Sequence, residues 1–259
     1  MKDFTLSAYR QLLIALQRAN YSFYTFEEWC DGKAKGKFVI LRHDVDLKAA
    51  HSLATAEIEN SLGIVSSYFF RVVPQSNKPE IIKSIADLGH EIGYHYEDLS
   101  LCNGNVESAI KHFEKQLSYF RTYYPVRTIC MHGSPTSKWD NREVWKINSY
   151  KNYGIIGEPY FDLLNHDSGV HYLTDTGRMW DGDKYNIRDK AISPLKSVDN
   201  TKLHSTYDVI NWLAEGNNPD VLMITTHPQR WTDNNSEWFI EFFSQNLKNV
   251  IKRLLTILK

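Results

Sequence analysis

Residues 37–46 read KFVILRHDVD and carry the two features that decide the fold. The first half is a short apolar run after Gly36, which is typical of a strand buried on both faces, as in parallel sheets. The second half places two carboxylates, Asp44 and Asp46, at the end of that strand. Because alternate residues of a strand share a face, we expect both carboxylates to point into one site.

Outward from this strand, apolar runs alternate with helical patterns along the chain. This alternation predicts parallel βα units and an α/β fold, a distorted barrel of about seven parallel strands in a single domain over residues 1–259. An N-terminal helix over 5–20 and a C-terminal helix over 235–258 are expected to pack on the barrel. Further strands are predicted at 65–73, 91–96, 128–132, 171–175 and 221–227, and helices at 47–62, 79–88 and 106–123.

The C-terminal helix is predicted from its periodicity. Its apolar residues recur at helical spacing and are expected to line one face. They are Phe239, Phe243, Leu247, Val250, Ile251, Leu254 and Leu258.

Composition excludes several classes of protein. Of the 259 residues, 42% are hydrophobic and 24% are charged, which is typical of a globular chain and not of a disordered one. Thirty Lys and Arg against 31 Asp and Glu give a net charge of −1, so no basic excess is present to neutralise phosphates, and no nucleic-acid partner is expected. No apolar run reaches the ~18 residues of a membrane span.

The cysteines and the N-terminus predict the compartment. Cys30, Cys102 and Cys130 form no CxxC pair, which favours reduced thiols over a disulfide framework. The first residues lack the apolar run of a signal peptide. We therefore expect a cytoplasmic protein.

Polar side chains follow four of the predicted strands. Besides the two aspartates, His95 and His132 end the third and fourth strands, and His227 ends a late one. The carboxyl ends of the strands of an α/β barrel converge on one face, so these residues are expected to form one site. A carboxylate pair requires a neutralising cation or proton, and imidazole suits zinc and its neighbours. The pattern predicts a divalent-metal site in which one aspartate binds the metal and the other acts as a general base.

These segments, in this order, resemble the motifs of the polysaccharide deacetylase family. RHDVD at 42–46 is similar to the first motif, in the variant with one residue between the aspartates, and GHEIGYH at 89–95 is similar to the second. HGSP at 132–135, TDTGRMW at 174–180 and TH at 226–227 fall at the third, fourth and fifth motifs.

The resemblance implies roles for individual residues. It implies Asp44 as the catalytic base, Asp46 and His95 as metal ligands, and His227 as the catalytic acid. The fourth motif, which contains Asp175, Arg178 and Trp180, helps to orient the base and to shape the pocket.

The sequence departs from the family pattern at Leu99, where the second motif has another metal-binding histidine. His132, from the next strand, is the preferred replacement, and Glu97 is the alternative third ligand. His90 is a weaker candidate because it precedes its strand.

The resemblance implies a metal-dependent carbohydrate deacetylase from a divergent subgroup, with zinc as the expected metal. Its substrate is expected to be a sugar or a precursor in surface-polysaccharide synthesis. Arg42 or Arg178 is expected to hold Asp44 ionised. The tryptophans that follow motif segments are candidates for stacking on a sugar ring. They are Trp139, Trp180 and Trp231.

Two other functions fit the same residues less well. A barrel that binds a carbohydrate without hydrolysing it is favoured by Leu99. A glycosidase with Asp44 and Asp175 as its carboxylate pair leaves His95, His132 and His227 unexplained.

Overall fold

Seven parallel strands form one sheet in the computed structural model, which describes residues 2–134, 136–164, 169–181 and 203–257, with 251–257 as backbone. Every strand pair is parallel. The strands are β1 Ser22–Tyr24, β2 Phe38–Val45, β3 Ser67–Phe70, β4 Glu91–Tyr96, β5 Ile129–Met131, β6 His171–Thr174 and β7 Val221–Thr226.

Helices follow most of the strands, as parallel crossovers require. They are α1 Leu6–Arg18, α2 Phe26–Cys30, α3 Ala49–Ser61, α4 Pro79–Asp87, α5 Asp98–Leu101, α6 Val106–Phe120, α7 Pro159–Asp162, α8 Thr206–Ala214 and α9 Asn235–Ile257. Two 3₁₀ helices, Asn141–Lys146 and Tyr150–Tyr153, and a short one at Pro228–Arg230 complete the order. No helix in the described part of the chain is long and apolar enough to cross a membrane.

The strand order is β5-β4-β3-β2-β7-β6, and β1 pairs with the first half of β2. The α/β prediction with about seven parallel strands is confirmed: the sheet is a curled half-barrel. β2 lies in the middle, and all eight of its residues are buried. Its alternate residues divide between two hydrophobic clusters, because successive side chains of a strand point to opposite faces.

Several short elements escape the sequence patterns. β1 has only three residues, too few to show a period of two. α2 has five residues, but the capping box of Thr25 and Glu28 marks its start. Ser205 and Asp208 form the same box at α8.

The C-terminal helix α9 contacts the rest of the fold through residues outside its predicted apolar face. The Trp238 indole N–H donates to the Asp3 carbonyl at 2.6 Å, and the Asn249 amide donates to the Gly177 carbonyl at 2.9 Å. Phe239 and Phe243, from the predicted face, are exposed. Leu258 lies outside the described residues.

A buried carboxylate joins β2 and β3 to the helices on one side of the sheet. Glu59 of α3 is fully buried and accepts hydrogen bonds from Tyr9, from His43 Nε2 at 2.7 Å, from Ser66 at 2.5 Å and from Tyr68 at 2.8 Å. Burial raises the pKa of this carboxyl, but the charge and hydrogen bonds of its neighbours, His43 first, outweigh burial and lower it to about 2.

We expect acid to unfold the protein partly through Glu59. A folded-state pKa of about 2 against an ordinary value of 4.5 means that the carboxylate stabilises the fold above pH 4.5, and that this stabilisation is lost as the pH falls towards 2. The difference corresponds to a free energy on the order of 3 kcal/mol. In urea titrations across this range, Glu59→Gln should be destabilised near neutral pH and show a flatter acid dependence. The exposed Glu107→Gln is the control, and an unchanged acid slope in Glu59→Gln would contradict the assignment.

Candidate functional site

The carboxyl ends of β2, β4 and β5, with the segment after β7, bring five of the predicted site residues together. Asp46 lies at the centre. Its Oδ1 atom is 3.6 Å from His95 Nε2 and 3.4 Å from His132 Nε2, and its Oδ2 atom is 4.0 Å from His227 Nε2. Asp44 Oδ2 lies 3.9 Å from His95 Nε2. Residues from four separate segments of the chain therefore meet at one edge of the sheet.

His95 is fixed in one tautomer by the neighbouring strand. Its Nδ1 atom lies 2.9 Å from the carbonyl oxygen of Cys130, which only accepts, so Nδ1 carries the proton. Nε2 faces the two aspartates, and in the neutral ring it carries the lone pair. This is the arrangement of a metal-binding histidine, whose other nitrogen donates to a carbonyl or carboxylate.

His132 is held in the same way, but by a carboxylate. Its Nδ1 lies 2.8 Å from Glu97 Oε2, and Arg71 donates to both oxygens of Glu97 at 2.8 and 2.9 Å. Burial raises the pKa of Glu97, but His132 and Arg71 outweigh it and lower the pKa to about 2. Glu97 thus contacts Nδ1 of His132, whereas Nε2 of the same ring faces Asp46; the sequence had offered Glu97 as an alternative third ligand.

The donor set fits a divalent metal. Asp46 Oδ1 is buried and has no hydrogen-bond partner among the described residues, which is costly unless a cation takes that position. One ligand atom each from Asp46, His95 and His132 lies within 4.8 Å of the others. One carboxylate and two imidazoles form a set that zinc uses in catalytic sites with an open position.

Asp44 is held as an anion inside the sheet. The Arg42 guanidinium forms a bidentate pair with it, at 3.0 Å from Nε and 2.8 Å from Nη2. Burial raises the pKa of Asp44, but the charges of Arg42, His95 and His227 outweigh burial and lower it. Arg42 also donates to the hydroxyls of Tyr160 and Tyr172.

His227 stands on the other side of Asp46 and has its own supporting carboxylate. Its Nδ1 lies 2.6 Å from Asp175 Oδ1, and its backbone N–H donates to Asp175 Oδ2 at 3.0 Å. Arg230 and the Trp231 indole also donate to Asp175. Burial raises the pKa of Asp175, but the charges of Arg230 and His227 lower it to about 2. Asp175 therefore stays anionic and keeps His227 Nε2 turned towards the site.

The structure places two of the predicted supporting residues elsewhere. Arg178 lies over the rings of Phe4 and Trp238, each centroid 4.9 Å away, so Arg42 and not Arg178 is the partner of Asp44. Trp180 is buried and donates to Thr206 at 3.1 Å, so its ring is packed in the core, out of reach of a sugar.

The other candidates from the sequence also lie outside the ligand set. Trp231 is buried against Asp175, and Trp139 packs against the backbone at Gly104. Leu99 is buried in the core. His90, at the start of β4, hydrogen-bonds to Ser66 at the opposite end of the sheet.

Sequence reasoning missed three residues of the site. Arg71 follows β3 directly, and Arg230 follows His227 by three positions, so both carry the strand-end signal that identified the histidines. Cys130 lies beneath the site, where Asp44, His95 and Cys130 form a second set of close ligand atoms. Its position in the middle of a short apolar strand gave no signal of this.

Comparison with known proteins adds a likeness in structure. No family model matches the chain, and no curated protein does. Two solved structures of a CE4 family protein resemble this chain. They are a pseudoenzyme from Bacillus anthracis in its wild-type form and a mutant of the same protein with restored enzymatic activity.

Both structures are 13% identical to the chain and cover 82% of it, with TM-scores of 0.45 and 0.46. The chain spans 61% and 63% of their length, which is less than two thirds. The chain is thus structurally similar, at low identity, to CE4 proteins, the polysaccharide deacetylase family.

The contacts of Glu97 predict a graded effect on metal affinity. Glu97→Gln should weaken zinc binding by about 10- to 100-fold, because it removes the carboxylate that orients His132. His132→Ala should weaken binding further, because it removes one of the three candidate ligand atoms. Zinc competition with a chromogenic chelator measures both, with the exposed Glu107→Gln as the control. Loss of zinc in Glu97→Gln as complete as in Asp46→Ala would instead make Glu97 a ligand.

Proposed function

We propose that the protein is a metal-dependent hydrolase that removes an N-acetyl or other N-acyl group from a sugar. The observation that carries this proposal is the convergence of Asp46, His95 and His132 between two further groups suited to proton transfer, Asp44 and His227. The motif resemblance supports a carbohydrate amide as the substrate. Zinc is the proposed metal, since the donor set is one oxygen and two nitrogens.

A divalent metal bound by Asp46, His95 and His132 would polarise the acyl carbonyl and acidify a water molecule. Asp44 then acts as the proton acceptor: Arg42 keeps it ionised, and its Oδ2 lies beside the ligand His95. The bidentate pair also fixes the direction of the carboxylate. This geometry presents a base to a water molecule without a rearrangement of the side chain.

His227 is placed to protonate the departing amine. Asp175 remains anionic and lies 2.6 Å from His227 Nδ1, so it fixes the ring with Nε2 towards the site, from where Nε2 can pass a proton to the leaving group. The same contacts argue against the glycosidase alternative. Asp175 is fully buried, and its oxygens are occupied by His227, Arg230 and Trp231.

The exposure of the site residues supports the entry of a substrate from one side. The side chains of Asp46 and His132 are 20% and 14% exposed, whereas those of Asp44 and His95 are 5% and 2% exposed. A small acyl group can therefore reach the ligands while the sugar remains at the surface. We propose a precursor sugar in surface-polysaccharide synthesis as the substrate, and a cytoplasmic location.

The function is tested with the purified chain loaded with zinc and offered N-acetylated monosaccharides, nucleotide-linked sugars and oligosaccharides. The proposal expects release of acetate together with a free amine. Release of reducing sugar would favour a glycosidase. Sugar binding with no acetate from any substrate would favour a carbohydrate-binding protein that does not hydrolyse its ligand.

Two aspartate variants should separate metal binding from proton transfer. Asp46→Ala should lose both zinc and activity, because it removes a ligand. Asp44→Asn should keep its zinc and lose about 10²- to 10⁴-fold in kcat, because it removes the base. Elemental analysis and acetate release measure the two effects, with Asp31→Asn as the surface control. Full zinc content in Asp46→Ala would contradict the ligand assignment.

A histidine variant tests the proposed acid. His227→Gln should retain zinc and lose about 10²- to 10⁴-fold in kcat, because it removes the proton donor to the departing amine. Elemental analysis and acetate release measure the two quantities. His204→Gln, whose side chain is largely exposed, should behave as the wild type. A wild-type kcat in His227→Gln would assign proton donation to another group.

A further inference from the structure

Gln229 is a buried side chain beside the site that the proposed chemistry does not use. It lies two residues after His227, in the 3₁₀ helix Pro228–Arg230, and is 6% exposed. The backbone N–H of Arg230 donates to the carbonyl of His227 at 2.9 Å and closes this turn. The turn that follows His227 therefore also fixes the backbone position of Gln229.

The amide of Gln229 contacts Asp46 at the carboxylate oxygen that faces away from His95 and His132. Its Nε2 atom donates to Asp46 Oδ2 at 3.3 Å. His227 Nε2 is 4.0 Å from the same oxygen, which is beyond hydrogen-bond distance. Because an ionised carboxylate only accepts hydrogen bonds, the nitrogen of the amide and not its oxygen faces Asp46.

The amide oxygen of Gln229 is buried and has no hydrogen-bond partner in the described part of the chain. An unpaired buried acceptor lowers the stability of a fold. An apolar side chain of the same length would therefore suit packing at this position better. The contact with Asp46, rather than packing, accounts for an amide here.

This contact distinguishes the two oxygens of Asp46. Rotation about the last bond of an aspartate side chain is soft and exchanges its two oxygens. Oδ1 lies 3.6 and 3.4 Å from the Nε2 atoms of His95 and His132, whereas Oδ2 is held by Gln229. The Arg71 guanidinium donates to the Asp46 carbonyl at 3.4 Å, so the backbone of this residue is held as well.

We propose that Gln229 is a positioning residue for the metal site, which holds Asp46 Oδ2 so that Oδ1 faces the two imidazoles. This inference rests on the proposed function, because it takes Asp46, His95 and His132 as the ligands. Hydrogen-bond partners of a ligating carboxylate raise metal affinity by fixing the direction of the ligand. Gln229 is too buried to meet a sugar, so its effect falls on metal binding and not on substrate binding.

Zinc competition and the unfolding of the metal-free chain together test this role. Gln229→Met keeps the length of the side chain and removes the donor, so it should weaken zinc binding by about tenfold. Thermal unfolding of the metal-free chain should stay close to that of the wild type, because the lost hydrogen bond is offset by the removal of an unpaired buried oxygen. Gln11→Met makes the same change at an exposed position of α1 and should leave both quantities unchanged.

The outcomes separate this inference from the function on which it rests. If the wild type binds zinc and Asp46→Ala does not, wild-type affinity in Gln229→Met would overturn the role of Gln229 alone. A loss of affinity in Gln229→Met that is matched by a loss of stability in the metal-free chain would make Gln229 a packing residue and would also overturn the role. A wild type that binds no zinc would overturn the metal site itself, and this inference with it.

The absorption of the cobalt-loaded protein reports on the coordination directly. Cobalt in place of zinc has visible absorption bands that weaken when the number of ligand atoms rises above four, so that geometry can be read from them. Asp46 Oδ2, once freed from Gln229, can join the metal, and the bands of Gln229→Met should therefore be weaker than those of the wild type. Identical spectra would show that Asp46 keeps its orientation without Gln229 and would overturn the proposal.

Discussion

The central strand β2 buries an arginine, a histidine and an aspartate in succession, and the rest of the structure depends on neutralising them. Arg42 and Asp44 pair on one face, and His43 meets Glu59 on the other. A buried charge that loses its partner costs about 3–5 kcal/mol. Because a shift of one residue moves every side chain to the opposite face, these two pairs also fix the register of β2.

The three histidines of the site are oriented in the same way although they come from different segments. Each is anchored through Nδ1, to a carbonyl at His95, to Glu97 at His132 and to Asp175 at His227. Each therefore presents Nε2 towards Asp46. The supporting acceptors set the orientation of the rings, so that little conformational entropy would be lost on binding of a metal between them.

The sequence was sufficient to predict six of the seven strands and the meeting of the polar side chains at their ends, because a parallel sheet brings the carboxyl ends of its strands together. It was insufficient where a contact depends on the distance between segments that are far apart in the chain. Arg42 lies two residues before Asp44 on β2 and so shares its face, whereas the place of Arg178 over Phe4 and Trp238 depends on contacts between distant segments. Helical spacing likewise identified an apolar face on α9, but the fold contacts a different face, because Trp238 and Asn249 find hydrogen-bond partners there.

Leu99, where the resembled motif has a histidine, is buried in the core, and the second imidazole beside His95 comes from the segment after β5. His95 pairs in register with Cys130 of β5, and His132 comes two residues after Cys130. The ring centroids of His95 and His132 are 5.1 Å apart. His132 takes its support from Glu97 and Arg71, which directly follow β4 and β3. A carboxylate beside the close ligand atoms of Asp46, His95 and His132 is thereby engaged with an imidazole ring and with a guanidinium.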